Sequence, residues 1–189
     1  MNNKISLLSI VAIAAIGSFA LMSFSSQDEI KANDLVIDTV HGTMQNYSVE
    51  ELSQGTPFAI IGKVTQITPV LVDTEIGEKV FSDVTVKVQK DLNDAYDQKE
   101  ITVRVLGGET ETRKTISHFS PTFEKNEKVL FFVADKEPNS IYGDNYYVAG
   151  VAVGKYSIHN DKAVKSADPH ETENLDDLVE KIKKSKGLK

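Results

Sequence analysis

The sequence predicts a mainly β domain, a small Greek-key barrel with an apolar helix before it and an amphipathic helix after it; a β-sandwich is the alternative. Three observations predict it. Val80, Val84, Val86 and Val88 share one parity while Asp83, Thr85, Lys87 and Gln89 share the other, and Ile101, Val103 and Val105 repeat the pattern against Thr102 and Arg104. Period two with one apolar face is a strand half in core and half in water. Regular alternation of strands with helical segments is absent, which argues against a parallel α/β sheet. Finally, Gly150 and Gly154 interrupt the strand-like run Tyr146–Ile158, and glycines inside strands mark the bulges and bends that let a sheet curl.

The chain opens on an uncharged run. After Lys4, residues 5–24 carry no charge, and a helix of that length crosses the ~30 Å hydrocarbon layer. Small residues follow at Ser18-Phe19-Ala20 and Ser23-Phe24-Ser25. Residues 1–25 therefore read either as a cleaved signal peptide or as a retained single-pass anchor. Both readings place the rest of the chain outside the membrane, so the protein is expected to be exported to the cell surface or the extracellular space. It would touch the membrane through residues 5–24 if they are uncleaved.

Residues 26–56 read as an acidic linker, with Asp28, Glu29, Asp34, Asp38, Glu50 and Glu51 facing Lys31 alone. Within it Asp34–Val40 is apolar enough for a short strand or docking segment. Ser48 with Glu51 three residues on forms a capping box for a short helix. Asn46-Tyr47-Ser48 fits the glycosylation sequon, so Asn46 is a candidate acceptor.

The barrel is expected over residues 57–166. Phe58–Ile67 is a β-branched run entered through Thr56-Pro57. Val80–Val88 and Ile101–Val105 follow, and Gly107-Gly108 ends the latter. Glu109–Glu127, which contains Pro121, is expected to be a short helix or a long loop. Val129–Ala134 is apolar on both parities, a central strand covered on both faces. After Tyr146–Ile158, Asn160-Asp161 is a two-residue turn to a last strand at Lys162–Lys165. Five main strands in a Greek-key barrel match the OB-like architecture. Residues 167–189 are expected to hold a helix: Leu175, Leu178, Val179 and Ile182 fall on one face. Asn174 can cap it, Asp176 and Asp177 open it and lysines close it, as the helix dipole favours. Such a helix packs on the barrel or docks a partner.

Composition narrows the function. With 28 acids against 21 bases the formal net charge is −7, which argues against a nucleic-acid partner. Having no cysteine, the chain has no disulfide scaffold, thiolate zinc site, iron–sulfur cluster, cysteine nucleophile or lipidated N-terminal Cys.

The segments Phe58–Val64, Val84–Leu92, Ile101–Gly108, Phe123–Val133 and Tyr146–Tyr156, in that order, resemble a group of exported prokaryotic domains. Their strand order is similar to the netrin-like module of the tissue inhibitors of metalloproteinases. The resemblance implies an OB-type barrel. The animal inhibitors chelate zinc through an N-terminal Cys that this chain lacks, so no functional residue carries over.

No complete catalytic constellation stands in the sequence. His170-Glu171-Thr172-Glu173-Asn174 puts Asn where the zinc-protease motif HExxH needs its second His. Asp91–Asp97 is acidic but lacks the EF-hand's Gly and Glu positions. His41, His118, His159 and His170 lie in separate segments without ligand spacing. A composite site from Glu109, His118 and Asp144 would make a small metal-binding surface enzyme. We expect instead no enzyme, no cofactor and no metal, but a binding domain for a protein or envelope component. An accessory subunit of a membrane complex is the other alternative. Candidate ligand-binding residues are Phe119, Phe123, Tyr142 and Tyr146, aromatics near the two long loops of a fold that binds through loops.

Overall fold

The computed structural model describes residues 35–188, so the apolar run 5–24 and residues 26–34 lie outside the described residues. The described chain is mainly β. In order it forms β1 (Val36–Val40), α1 (Val49–Gly55), β2 (Phe58–Val72), β3 (Lys79–Asp91), β4 (Glu100–Leu106), β5 (Gly108–Glu109), β6 (Arg113–Ser117) and β7 (Lys128–Ala134). It continues with β8 (Tyr146–Val148), a 3-10 turn (Val151–Gly154), β9 (Lys155–His159), β10 (Lys162–Lys165), β11 (Thr172–Asn174) and α2 (Leu175–Ser185). Among the described residues no helix is long and apolar enough to cross a membrane.

Eight strands form one sheet in the order β11-β10-β9-β7-β2-β3-β4-β8, and β7 also pairs with β8. The pairings β7-β2-β3-β4-β8 thus return to β7 and close a ring. Every step is antiparallel except β4–β8. The alternation seen in the sequence sorts residues to the two faces of this ring. Ile60, Val64, Val84, Val86, Ile101, Val103, Val129, Phe131, Val133 and Val148 make one buried cluster. The other parity of β7, Leu130 and Phe132, joins Ala59, Ile61, Tyr156 and Ile158 in a second cluster, covered by Leu52 of α1 and by Leu178 and Ile182 of α2. β7 is therefore apolar on both parities because it is covered on both sides.

Both helix starts follow their sequence signals. Ser48 Oγ accepts from Glu51 N–H at 3.2 Å and Glu51 Oε2 accepts from Ser48 N–H at 2.8 Å. Asn174 Oδ1 accepts from the N–H groups of Asp176 at 2.8 Å and Asp177 at 3.3 Å. Leu178 and Ile182 are fully buried, so the apolar stripe of α2 packs on the chain's own core.

Several elements depart from the sequence expectations. The β2–β3 hairpin runs past Ile67 to Val72, through Pro69. β7 pairs with β2 only over Phe58–Lys63, so among the described residues Pro69 lies on a stretch of β2 with one unpaired edge, where proline is tolerated. Glu109–Glu127 holds no helix; β6 lies there and pairs parallel with β1, making with β5 a second, three-stranded sheet. The two parallel pairs, β1–β6 and β4–β8, are short, and other strands intervene in the chain between the members of each. The run Tyr146–Ile158 is not one strand. Gly150 (φ 65°) and Val151 (φ 48°) turn the chain left-handed, and a Cβ on Gly154 would lie 1.8 Å from Ala149 O. Residues 167–174 precede the helix as a loop and β11, because Asn174 caps α2 only from extended backbone.

Candidate functional site

The four candidate aromatics do not form one platform. Tyr142 is buried; it stacks on Tyr147 (centroids 4.6 Å apart, planes 8° apart) and meets Phe81 edge-on. Phe119 packs against this same cluster of Phe81, Leu106 and Tyr142. Phe123 and Tyr146 belong to the ring interior instead, edge-on to Phe131 and Phe58 respectively. Their first duty is packing, worth about 0.5–1.5 kcal/mol per aromatic pair beyond area burial.

Two cavities are lined by candidate aromatics. A cavity of about 300 Å³ has apolar walls from Ile67, Val84, Val105, Leu106 and Phe123, with hydroxyls of Ser82, Thr115, Ser117, Ser120 and Thr122 around them. Most of those hydroxyls serve the fold. Ser82 Oγ donates to Gly107 O (2.7 Å), Thr115 Oγ1 accepts from Val80 N–H (2.8 Å), and Ser117 and Ser120 bond each other (2.7 Å).

The second is a groove of about 780 Å³ between the outer end of the β2–β3 hairpin and the loop joining β7 to β8. Val72, Asp73, Thr74, Glu75 and Ile76 form one wall, and Pro138–Gly143 and Arg104 complete the lining. The hairpin end is held by Thr74, whose N–H and Oγ1 both donate to Gly77 O while its carbonyl accepts from Gly77 N–H. Arg104 lies opposite Asp83 in the β3–β4 register and clasps it with two bonds of 2.7 and 2.9 Å. Its charge is answered there, and among the described residues Asp73 and Glu75 on the lining have no ion-pair partner. Beneath the groove, Tyr147 donates to Glu137 Oε1 at 2.9 Å; burial, then Glu137, pushes its phenol up to about 12.

Apolar residues stand exposed at this groove. Ile76 is 64% and Ile141 47% exposed, both on the lining, and Leu71 nearby on β2 is 47% exposed. Exposed aliphatics grouped at a concave surface mark interaction sites more than solvated faces. Of the four aromatic candidates Tyr142 lines this groove and Phe123 the smaller cavity; Phe119 and Tyr146 line neither. Sequence reasoning passed over Ile76. Its signal was an isoleucine in the Asp73–Gly77 turn, where a hairpin tip has no core to fill.

The acidic and histidine motifs resolve differently. Asp91 is buried, and its carboxylate accepts from Ala59, Asn93, Ala95 and Tyr96 N–H at 2.7–3.2 Å. The acidic run is built as a carboxylate-centred loop. Glu109 pairs with Lys114 at 2.7 Å, and His118 stacks beside His41. Among the described residues no group of three or more His, Asp or Glu is placed to hold a metal, so Glu109, His118 and Asp144 do not converge. Glu171 pairs with Lys165, and Asn174 is spent on its cap. Asn46 is exposed, while Ser48 of its sequon holds the helix cap.

The most deeply buried charge among the described residues was not singled out from the sequence. Lys155 is 2% exposed, pairs with Glu127 and donates to Ser157 Oγ at 2.8 Å beside the Phe123 ring. Burial lowers its ammonium pKa, with Glu127 opposing. Neither of these two cavities is lined by Lys155, Glu127 or Ser157. No protein family matches this chain, and no curated protein or solved structure matches it either.

Proposed function

We propose that this is an exported, non-catalytic binding domain on an OB-type five-stranded barrel, which takes a protein component outside the membrane in the groove between the β2–β3 hairpin end and the β7–β8 loop. The ring of pairings β7-β2-β3-β4-β8 supports the barrel over the sandwich, since a sandwich leaves its sheets unjoined at the edges. The observation that carries the binding reading is the pair Ile76 and Ile141, both exposed on one groove lining. With Asp73 and Glu75 beside them and Arg104 neutralised by Asp83, the groove suits a segment with apolar side chains and basic neighbours. Such a contact draws its energy from a few buried anchors and its approach from charge complementarity.

The test is site-specific photo-crosslinking of the full chain in its native membranes. A photoreactive residue replacing Ile76 or Ile141 gives one shared adduct, and one replacing Asn160, in the β9–β10 turn, does not. Ile76→Asp and Ile141→Asp remove the partner from pull-downs at unchanged fold. Adducts equally strong from Asn160, or none from the groove, overturn the reading.

A further inference from the structure

His41 and His118 stand far apart in sequence, and neither has a ligand spacing to any other histidine. The fold nevertheless brings them side by side. β1 and β6 run parallel with Val40 opposite Ser117, and each histidine is the next residue of its strand. Their rings lie 5.8 Å apart between centroids, with planes 25° apart, and both residues are exposed. The chain beyond them is fitted closely: Gly42 lies against the Phe119 ring so that a Cβ there would be 2.9 Å from Phe119 Cε1. Phe119 O in turn accepts from Ala152 N–H at 3.0 Å.

We propose that His41 and His118 form a two-imidazole site for a divalent late first-row transition ion, with Zn2+ or Cu2+ as the fitting class. Distance permits it. A metal–imidazole bond is about 2.0–2.1 Å, and adding a ring radius of about 1.1 Å places two rings on one ion with centroids at most about 6.4 Å apart. The observed separation falls inside that limit, so rotation about the side-chain torsions suffices and the strands need not move. Imidazole nitrogen suits Zn2+, Cu2+ and Ni2+, whereas Ca2+ and Mg2+ prefer oxygen. Two ligands fixed on paired strands chelate: once one nitrogen binds, the second is held at high effective concentration. No carboxylate completes a three-ligand group among the described residues, so water fills the remaining positions and the site is open and exchangeable. This inference does not depend on the groove.

The test is calorimetric titration of the full chain with Zn2+ alone, and Cu2+ electron paramagnetic resonance as a second measurement. One equivalent of Zn2+ binds. His41→Ala and His118→Ala each weaken it at least tenfold, and the double variant loses little more than either single one. His159→Ala and His170→Ala, which alter the other two histidines of the chain, bind as the parent does. The Cu2+ spectrum carries two equatorial imidazole nitrogens, reduced to one in either single variant. Absent saturable binding, binding indifferent to His41→Ala or His118→Ala, or a one-nitrogen spectrum in the parent overturns the proposal. Both side chains are exposed, so the variants keep the fold, and circular dichroism checks it.

Discussion

Breaking the buried Lys155–Glu127 pair destabilises the fold, and removing both charges together restores it. Lys155 is 2% exposed and the side chain of Glu127 12%. Glu127→Gln keeps the shape but leaves an ammonium group in a site whose burial already disfavours charge. The orphaned charge of a broken buried pair costs about 3–5 kcal/mol. With a urea slope of about 2 kcal/mol/M, that moves the unfolding midpoint down by about 1.5–2.5 M. Lys155→Met costs less, because the stranded carboxylate keeps two donors, Ser157 Oγ and Glu124 N–H, the latter at 2.9 Å. The double variant Lys155→Met/Glu127→Gln returns to within about 1 kcal/mol of the parent, since neutral replacement of a buried pair is commonly neutral or stabilising. Urea unfolding of the four proteins, followed by circular dichroism, yields a coupling energy of at least about 2 kcal/mol. A loss below about 1 kcal/mol in Glu127→Gln, or simple additivity in the double variant, would refute the reasoning.

Three more outcomes are expected. Leu178→Ala and Ile182→Ala, at fully buried positions of α2, each lose about 2–5 kcal/mol in urea unfolding; a loss under 1 kcal/mol would make α2 a detachable appendage. Gly154→Ala drives a methyl group into Ala149 O, and its thermal midpoint falls by the equivalent of about 2 kcal/mol or more. The phenols of Tyr142, Tyr147 and Tyr156 are pushed up chiefly by burial. Above about pH 10 the unfolded chain releases protons that the folded chain keeps, so stability falls as pH rises. Tyrosinate absorbance then rises in two steps, the second coinciding with loss of the circular dichroism signal. One step near pH 10 with the fold intact would contradict the burial.

What was legible in the sequence was whatever rests on local chemistry. The valine parity of β3 and β4, the capping box at Ser48, the N-cap at Asn174 and the helical stripe of α2 are short-range signals, and each stands where it was expected. The double-sided apolarity of β7 correctly marked a covered strand. What lay beyond reach depends on partners distant in the chain. β6, Arg113–Ser117, has no strong strand pattern and exists because β1 supplies its hydrogen bonds. The meeting of His41 with His118 and of Lys155 with Glu127 is set by topology, not by spacing. The groove was missed for the same reason: Ile76 and Ile141 belong to separate turns, each unremarkable alone. Aromatic content pointed to Phe119, Phe123, Tyr142 and Tyr146, but aromatics near loops pack as readily as they bind, and three of the four lie off the groove.

The three-residue strand β8 has a consequence for how the molecule folds and breathes. It closes the ring through two residue pairs with β4 and two with β7, while β2 and β3 share a long antiparallel ladder. The β2–β3–β4 meander forms from hairpins and meets little chain-entropy cost; β8 must arrive from a remote part of the sequence and gains few bonds on arrival. The seam is therefore the last part to zip and the first to open. Its amides exchange with solvent through a local opening that leaves the meander paired, ahead of the β2 and β3 amides that wait for global unfolding.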